Sequence, residues 1–268
     1  MDGRELLDGA LTAARGAAAV HREHLGRVRV EDWSEKGVAD FVSHVDREAE
    51  AGILSLLRGR FPGHRLLAEE DASDNGAEAL SDSGCTWIID PLDGTTNYLH
   101  GYPMYAVSIG VACGRELVAA VVLNSATGDE WTAVRGGGAR MNGAPVHVSS
   151  MAALPRALIG TGFPFKALPL LPLYTAQFDA VLRATSGVRR AGSAALDLCH
   201  VASGWFDGFW ELSLAPWDVA AGTLIVREAG GVATRLDGTH DVLSHGSMLA
   251  GNPAIHGLLG DLVRAAAA

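Results

Sequence analysis

The sequence predicts a mixed α/β (α+β) protein built as two intimately packed halves that meet near residue 150. Three observations predict it. Two helical stretches open the chain and give way to strand-rich sequence from Thr86 to about Ser149. After Ser150 strands and helices alternate, which implies parallel or mixed sheet character. Between these regions the apolar run Trp87-Ile88-Ile89 ends abruptly in Asp90-Pro91-Leu92-Asp93-Gly94-Thr95-Thr96-Asn97. Residues 1–150 form an N-terminal half that carries this turn, and residues 151–268 a C-terminal α/β half that carries Asp218.

The elements follow from local pattern. Residues 4–26 place Leu6, Leu7, Ala10, Leu11 and Ala14 at helical spacing. A second helix runs from about Val45 to Arg60 and ends before Phe61-Pro62-Gly63. Leu66-Leu67-Ala68 is a short apolar segment leading into Glu69-Glu70-Asp71, and residues 72–83 are polar enough for a surface loop. Trp87 to Asp90 reads as a buried strand that stops at Asp90, because Pro91 cannot donate to a ladder and pushes its neighbour extended. Thr95, Thr96 and Asn97 open a helix. Ala106–Ala112 and Leu117–Leu123 form a hairpin turned at Cys113-Gly114-Arg115. Glu130–Val134 and Ala139–Met141 form another, and Asn142-Gly143 is a strong hairpin-turn signal. Gly136-Gly137-Gly138 is a structural turn, since no Lys-Ser/Thr follows it and no helix begins there. Strands follow at Ala157–Thr161, Phe206–Glu211 and Val232–Arg235, with helices over 169–185, Ser193–Ser203 and Trp217–Gly230. Gly230-Gly231 closes the last of these.

The bulk numbers exclude several classes. The chain has 268 residues, 48% of them hydrophobic and 19% charged, as suits a well-buried enzyme. The apolar stretch Tyr105–Leu123 is broken by Arg115 and Glu116, so no membrane helix is expected. The first residues lack the order of a signal peptide. Cys85, Cys113 and Cys199 form no CxxC pair, so neither a zinc site nor a disulfide framework is indicated, and a cytoplasmic protein is expected. A net charge of -10 argues against a nucleic-acid backbone as the main partner, but not against a phosphorylated small molecule held through cations.

The chemistry concentrates in carboxylates. Asp90 and Asp93 lie on a tight turn beside free helix N–H groups, a combination that holds a hard cation and a phosphate together. Glu69-Glu70-Asp71 follows an apolar segment, Asp218 directly precedes an apolar helix, and Asp40 and Asp46 flank the start of the second helix with Lys36 upstream. Each has an ordinary reading alone: an N-cap for Asp218, a solvated patch for Glu69-Glu70-Asp71, helix-start charges for Asp40 and Asp46. Together, at the ends of core elements, they resemble a multi-carboxylate cage for divalent cations.

Asp90-Pro91-Leu92-Asp93-Gly94-Thr95-Thr96-Asn97-Tyr98 resembles the first signature of the inositol monophosphatase family. Trp217-Asp218-Val219-Ala220-Ala221-Gly222 through Glu228-Ala229-Gly230-Gly231 resembles the second. Lys36, Asp40, Asp46 and Glu69-Glu70 match further motifs in the right order, so the resemblance covers nearly the whole chain. It implies a layered α/β/α/β/α sandwich shared with fructose-1,6-bisphosphatases, a homodimer, and Mg²⁺-dependent, lithium-sensitive hydrolysis of a phosphate monoester with two or three Mg²⁺ per site. By motif, Glu69, Asp90, the Leu92 carbonyl, Asp93 and Asp218 are implied metal ligands, and Asp93, Gly94 and Thr95 phosphate contacts. The implied mechanism is in-line attack by a metal-activated water oriented by Glu69 and Thr95, with Asp46 bonded to Thr95 and helping to take the proton. A second metal held by Asp90, Asp93 and Asp218 would stabilise the leaving alkoxide. Thr95 as nucleophile is the weaker alternative, because its hydroxyl needs an adjacent strong base.

For the alcohol half, Gly192-Ser193-Ala194-Ala195 resembles the stretch bordering the substrate ring, and Glu211 matches a position that binds inositol hydroxyls. The resemblance implies that Asp218 also borders the substrate. An exposed strand-end charge and a helix N-cap are the ordinary readings of Glu211 and Gly192-Ser193, while Arg189 and Arg190 are either surface charges or contacts to a partner subunit. Ser43 stands for the family's Thr, Ala68 for Gly, and Tyr98 for Phe, adding a hydroxyl near the mouth; His100, near the mouth, is read as surface. Thr95-Thr96-Asn97 favours inositol 1-phosphate, since relatives acting on nucleotide 3′-phosphates or histidinol phosphate tend to carry Lys after the first Thr. The alternatives are histidinol phosphate, fructose 1,6-bisphosphate or NADP as substrate, or a regulatory binding protein on this fold that contacts, for instance, the transcription machinery.

Overall fold

A computed structural model describes residues 2–28, 33–37, 40–71 and 84–266. The predicted loop over 72–83 lies outside them, as do the side chains of Lys36 and Asp40. Helix α1 (Gly3–His24) starts at Asp2, whose side chain accepts the Arg4 amide, and buries a stripe of small residues from Ala10 to Ala18. A short antiparallel pair, β1 (Ser34–Gly37) and β2 (Asp40–Val42), precedes α2 (His44–Arg60). Ser43 and Asp46 cap α2 reciprocally: the Ser43 amide and hydroxyl both donate to Asp46 Oδ2, at 2.8 and 2.7 Å, which fixes Asp46 in a buried position.

A seven-stranded sheet follows in chain order: β3 (Arg65–Ala68), β4 (Cys85–Asp93), β5 (Ala106–Cys113), β6 (Glu116–Asn124), β7 (Glu130–Val134), β8 (Ala139–Met141) and β9 (Ala144–Pro145). β3 is parallel to β4, and every other pair is antiparallel. Both hairpins expected from the sequence form. The five-residue helix α3 (Thr95–Leu99) follows β4 directly.

The second sheet has the order β11-β10-β12-β14-β13, from β10 (Leu158–Thr161), β11 (Gly187–Arg189), β12 (Gly208–Leu214), β13 (Val232–Thr234) and β14 (Gly246–Gly251). β10 is parallel to β11 and β12, and β14 is antiparallel to both its neighbours, so the sheet is mixed. A 3₁₀ segment (Phe165–Leu170) leads into α4 (Leu171–Ala184). The other helices are α5 (Ala194–Ala202), α6 (Pro216–Glu228) and α7 (Pro253–Ala265).

Three apolar cores set the layers. α1 and α2 cover the outer face of the large sheet through Ile53, Leu57, Trp87, Ile89, Ile109 and Val121. α5 and α6 lie between the sheets, where Leu198, Ala220 and Ile225 meet Ile88 and Val122 on one side and Phe209 and Met248 on the other. α4 and α7 cover the far face of the small sheet through Tyr174, Val181, Ile255 and Leu259. The result is the α/β/α/β/α sandwich. Among the described residues no helix is long and apolar enough to cross a membrane.

Two expectations are corrected. β4 does not stop at Asp90 but resumes pairing at Asp93: Asp90 opposes Ser108 and Asp93 opposes Ala106, with a bulge between. The bulge absorbs Pro91, whose missing N–H would otherwise break the ladder. Cys85 and Cys113 form a disulfide, with Cα atoms 4.0 Å apart. They stand directly opposite in the β4–β5 register, a pairing that their sequence separation of 28 does not reveal.

Candidate active site

One pocket of about 270 Å³ opens where the β4 turn, the start of α6, the end of β12 and the start of α5 converge. Glu69, Asp90, Leu92, Asp93, Gly94, Thr95, Gly192, Ser193, Ala194, Glu211 and Asp218 all line it. Asp46 lies behind this wall and reaches it through Thr95.

Each carboxylate is aimed by its own backbone. Asp90, almost wholly buried, accepts the Leu92 amide at Oδ1 (2.9 Å), a bond that closes the bulge. Asp93 accepts from Ser193 Oγ (2.6 Å) and the Ala195 amide (2.8 Å), so the N-terminus of α5 orients it. Asp218, in the first turn of α6, reaches back to the Ala215 amide at 2.7 Å. Glu69 follows β3 directly, and its amide donates to the Ile89 carbonyl at 3.1 Å, which ties it alongside Asp90.

The electrostatics are those of acids gathered without enough counter-charge. Burial, then the proximity of Glu69, Asp93 and Asp218, pushes Asp90 well above the usual carboxylate range. Burial pushes Asp93 up to about 6 against the pull of its bonds from Ser193 and Ala195. Asp218 rises to about 8, through burial and then Glu69 and Asp93. Lys166 Nζ stands 3.8 Å from Glu69 Oε1. An all-oxygen set of this kind suits a hard divalent cation, whose charge would bring these acids back into the ionised form. Among the described residues, no three of these groups are already arranged around one point as an ion's ligands.

Thr95 Oγ1 lies 3.0 Å from both Asp46 Oδ1 and the Leu92 carbonyl, so its single proton has two acceptors. Burial raises Asp46 from its ordinary value, partly opposed by its bonds from Ser43 and Thr95. Gly94 adopts φ +89°, and a Cβ there would meet the Met104 carbonyl at 2.8 Å, so only glycine fits the turn. Asn97 Nδ2 donates to the carbonyls of Met104 (2.6 Å) and Ala191 (2.9 Å), which ties the turn to the loop carrying Gly192.

Across the pocket, Glu211 lies directly on Gly162: a Cβ at Gly162 would fall 2.0 Å from Glu211 Oε1. Burial, then Asp218 and Asp93, pushes Glu211 up to about 8. Arg190 also lines the wall, its guanidinium carbon 5.0 and 4.9 Å from the ring centres of Phe163 and Phe165. Arg189 points elsewhere and donates to the Val188 carbonyl.

Sequence reasoning missed Gly162, Phe163, Phe165 and Lys166 as pocket residues. Their one signal is a glycine directly after a short strand. Tyr98 is a correction. Its hydroxyl does not sit near the mouth but is buried, donating to the His21 carbonyl at 2.9 Å. His100 is exposed, with its ring against Trp33. Glu70 donates its amide to Glu50 Oε2 at 2.8 Å, and neither residue lines the pocket.

The sequence model of the inositol monophosphatase family matches residues 2–267. Nus factor SuhB of Pseudomonas aeruginosa is 44% identical over 253 residues, covering 92% of this chain and 91% of that protein. The inositol-1-monophosphatase of Mesorhizobium japonicum is 43% identical over 250 residues, covering 93% and 92%. Among solved structures, extragenic suppressor protein suhB from Bartonella henselae superimposes with a TM-score of 0.88 at 38% identity, covering 97% of this chain and 98% of that one. The inositol monophosphatase from Anabaena gives 0.86 at 37% identity, covering 98% and 96%.

Proposed function

This chain belongs to the inositol monophosphatase family of phosphoric monoester hydrolases, and on that footing we propose that its pocket removes phosphate from inositol 1-phosphate with Mg²⁺ held among its carboxylates. The observation that carries this reading is the convergence of Glu69, Asp90, Asp93 and Asp218, from three separate parts of the fold, beside Gly94-Thr95 and opposite Glu211. Two or three Mg²⁺ would be held by these four side chains and the Leu92 carbonyl. Bound there, Mg²⁺ lowers the pKa of water and stabilises the charge on the phosphoryl and leaving oxygens.

The chain's own residues do the rest. Gly94 and Thr95 seat the phosphate at the head of α3. Glu69 and Thr95 orient the attacking water in line with the leaving oxygen. Thr95 Oγ1, already bonded to Asp46 Oδ1, relays the proton towards that carboxylate. Glu211 and the Gly192-Ser193-Ala194 stretch bind the alcohol half. Glu211 suits a polyol because a carboxyl group bonds adjacent hydroxyls. We read the protein as a lithium-sensitive homodimer. The exposed Leu168, Leu171 and Leu182 around α4 support a self-associating face.

The test is phosphate release from inositol 1-phosphate, histidinol phosphate, fructose 1,6-bisphosphate, NADP and 3′-phosphoadenosine 5′-phosphate, with Mg²⁺ and with EDTA. Mg²⁺-dependent turnover led by inositol 1-phosphate is expected. A different leading substrate would overturn the branch and leave the metal reading intact. A second reading, a regulatory binding role, draws on the relatives named Nus factors. Partners retained in a pull-down after Asp93→Asn would support it.

A further inference from the structure

The bulge between Asp90 and Asp93 takes residues 91 and 92 out of the β4–β5 ladder, in a buried place. Their backbone groups need other partners. The Leu92 amide donates to Asp90 Oδ1, and the Leu92 carbonyl accepts from Thr95 Oγ1. Pro91 has no N–H and offers only its carbonyl.

The imidazole of His21, from α1, lies against that carbonyl. His21 is fully buried, at 0% exposure. Its Nδ1 lies 2.8 Å from Ser125 Oγ. Tyr98 donates its hydroxyl to the His21 carbonyl, and the rings of Tyr98 and Tyr105 lie 5.8 and 6.4 Å from the imidazole, centre to centre. Nε2 is buried without a hydrogen-bond partner, and the Pro91 carbonyl is the backbone acceptor beside the imidazole. The imidazole is thus held on its other sides, and one nitrogen is left aimed at the back of the turn.

We propose that His21 is a positioning residue of the metal-binding turn: its Nε2–H fixes the Pro91 carbonyl and thereby the directions of Asp90, the Leu92 carbonyl and Asp93. The protonation follows from elementary rules. Burial pushes the imidazole down to about 3, so it is neutral and carries one N–H. A carbonyl only accepts, so that hydrogen belongs on Nε2, and the Ser125 hydroxyl donates to Nδ1. Without His21 the Pro91 carbonyl would lose this bond, and the peptide carrying three of the assigned ligands would lose its rear support. Outer partners of this kind tune metal affinity through the ligands they hold.

The inference rests on the proposed metal reading of the turn, and two measurements separate them. The first is the imidazole ¹⁵N spectrum of the metal-free protein at neutral pH. It should show His21 protonated at Nε2 and bare at Nδ1; the opposite tautomer would overturn the proposal. The second is Mg²⁺ binding by calorimetry to His21→Leu and His21→Gln, with thermal unfolding measured in parallel. His21→Leu should weaken Mg²⁺ binding by roughly tenfold or more. His21→Gln, which offers both an amide N–H and a carbonyl, should recover most of it. A folded His21→Leu with unaltered Mg²⁺ affinity would overturn the role. If His21→Leu does not fold, the tautomer and His21→Gln decide: Gln binding Mg²⁺ at least tenfold more weakly than the unaltered protein counts against the proposal. Absence of Mg²⁺ binding by the unaltered protein would instead sink the metal reading itself.

Discussion

Gly162 and Glu211 show how much of this site is decided by single contacts. The Glu211 carboxyl occupies the space a side chain at Gly162 would need. Gly162→Ala should therefore expel it. The expected result is a KM for inositol 1-phosphate raised up to roughly tenfold, the cost of one lost hydrogen bond, with Mg²⁺ affinity unaltered; steady-state kinetics beside calorimetry reads both. Thr95 carries a second prediction. Its hydroxyl is the link to Asp46, so Thr95→Ala should lower kcat by about 10²-fold or more, the scale of general acid–base assistance, while Thr95→Ser retains most of it. Equal losses in the two variants would contradict the relay. These roles differ in how visible they are in sequence. Asp90, Asp93, Gly94 and Thr95 are legible because Pro91 and Gly94 punctuate one short stretch. Gly162, Lys166 and Arg190 are not, because what defines them is a side chain brought from another element.

Elements place the carboxylates, and close packing places the elements. A Cβ at Gly110 on β5 would lie 2.9 Å from Ala220 Cβ and 3.0 Å from the Ala221 amide. α6 therefore rests directly on the large sheet, which brings Asp218 up to the β4 turn. Gly110→Val should lift α6, destabilise the protein by about 1–3 kcal/mol and weaken Mg²⁺ binding as well, whereas an overpacked site far from the pocket would do only the first. Urea unfolding with and without Mg²⁺ separates the two effects. Ser193 has two roles, since it caps α5 by accepting the Leu196 amide and donates to Asp93. Most elements are legible from apolar period and turn residues, including α5, α6 and both hairpins. The exceptions have physical reasons. The strand over Asp90–Asp93 continues because a bulge rescues it. β14 begins and ends on glycine, at Gly246 and Gly251, which blurs its strand signal. α7 does carry a start signal in Asn252-Pro253, an N-cap followed by proline at the first turn.

For the whole molecule, the cost of gathering acids shows in the pH dependence of stability. Asp218 and Glu211 have folded values raised to about 8 from 3.8 and 4.5. Between those limits the native state binds more protons than the unfolded chain, so stability falls as pH rises. His21 and His200, pushed down to about 3 and about 4, act in the opposite sense, but only below their ordinary value of 6.5. Without metal, the protein should therefore lose stability from pH 6.5 to 8, and saturating Mg²⁺ should cancel or reverse that trend. Urea unfolding in EDTA and in Mg²⁺ at the two pH values checks it; a metal-free protein equally stable at both would contradict it. The layered architecture is itself partly legible, since the apolar α5 and α6 announce helices buried on more than one face. The disulfide between Cys85 and Cys113 is not, because only the sheet register makes them neighbours.

The central claim is that the carboxylates meeting at the β4 turn hydrolyse a phosphate monoester through bound Mg²⁺. Its most direct test is phosphate release from inositol 1-phosphate as a function of Mg²⁺, for the unaltered protein and for Asp93→Asn, with folding verified for both. Saturable Mg²⁺ activation, abolished by EDTA and reduced at least about 100-fold in Asp93→Asn, is the predicted result, since a direct ligand costs no less than an outer partner. Turnover that is indifferent to Mg²⁺, or that survives Asp93→Asn in a folded protein, would contradict the account.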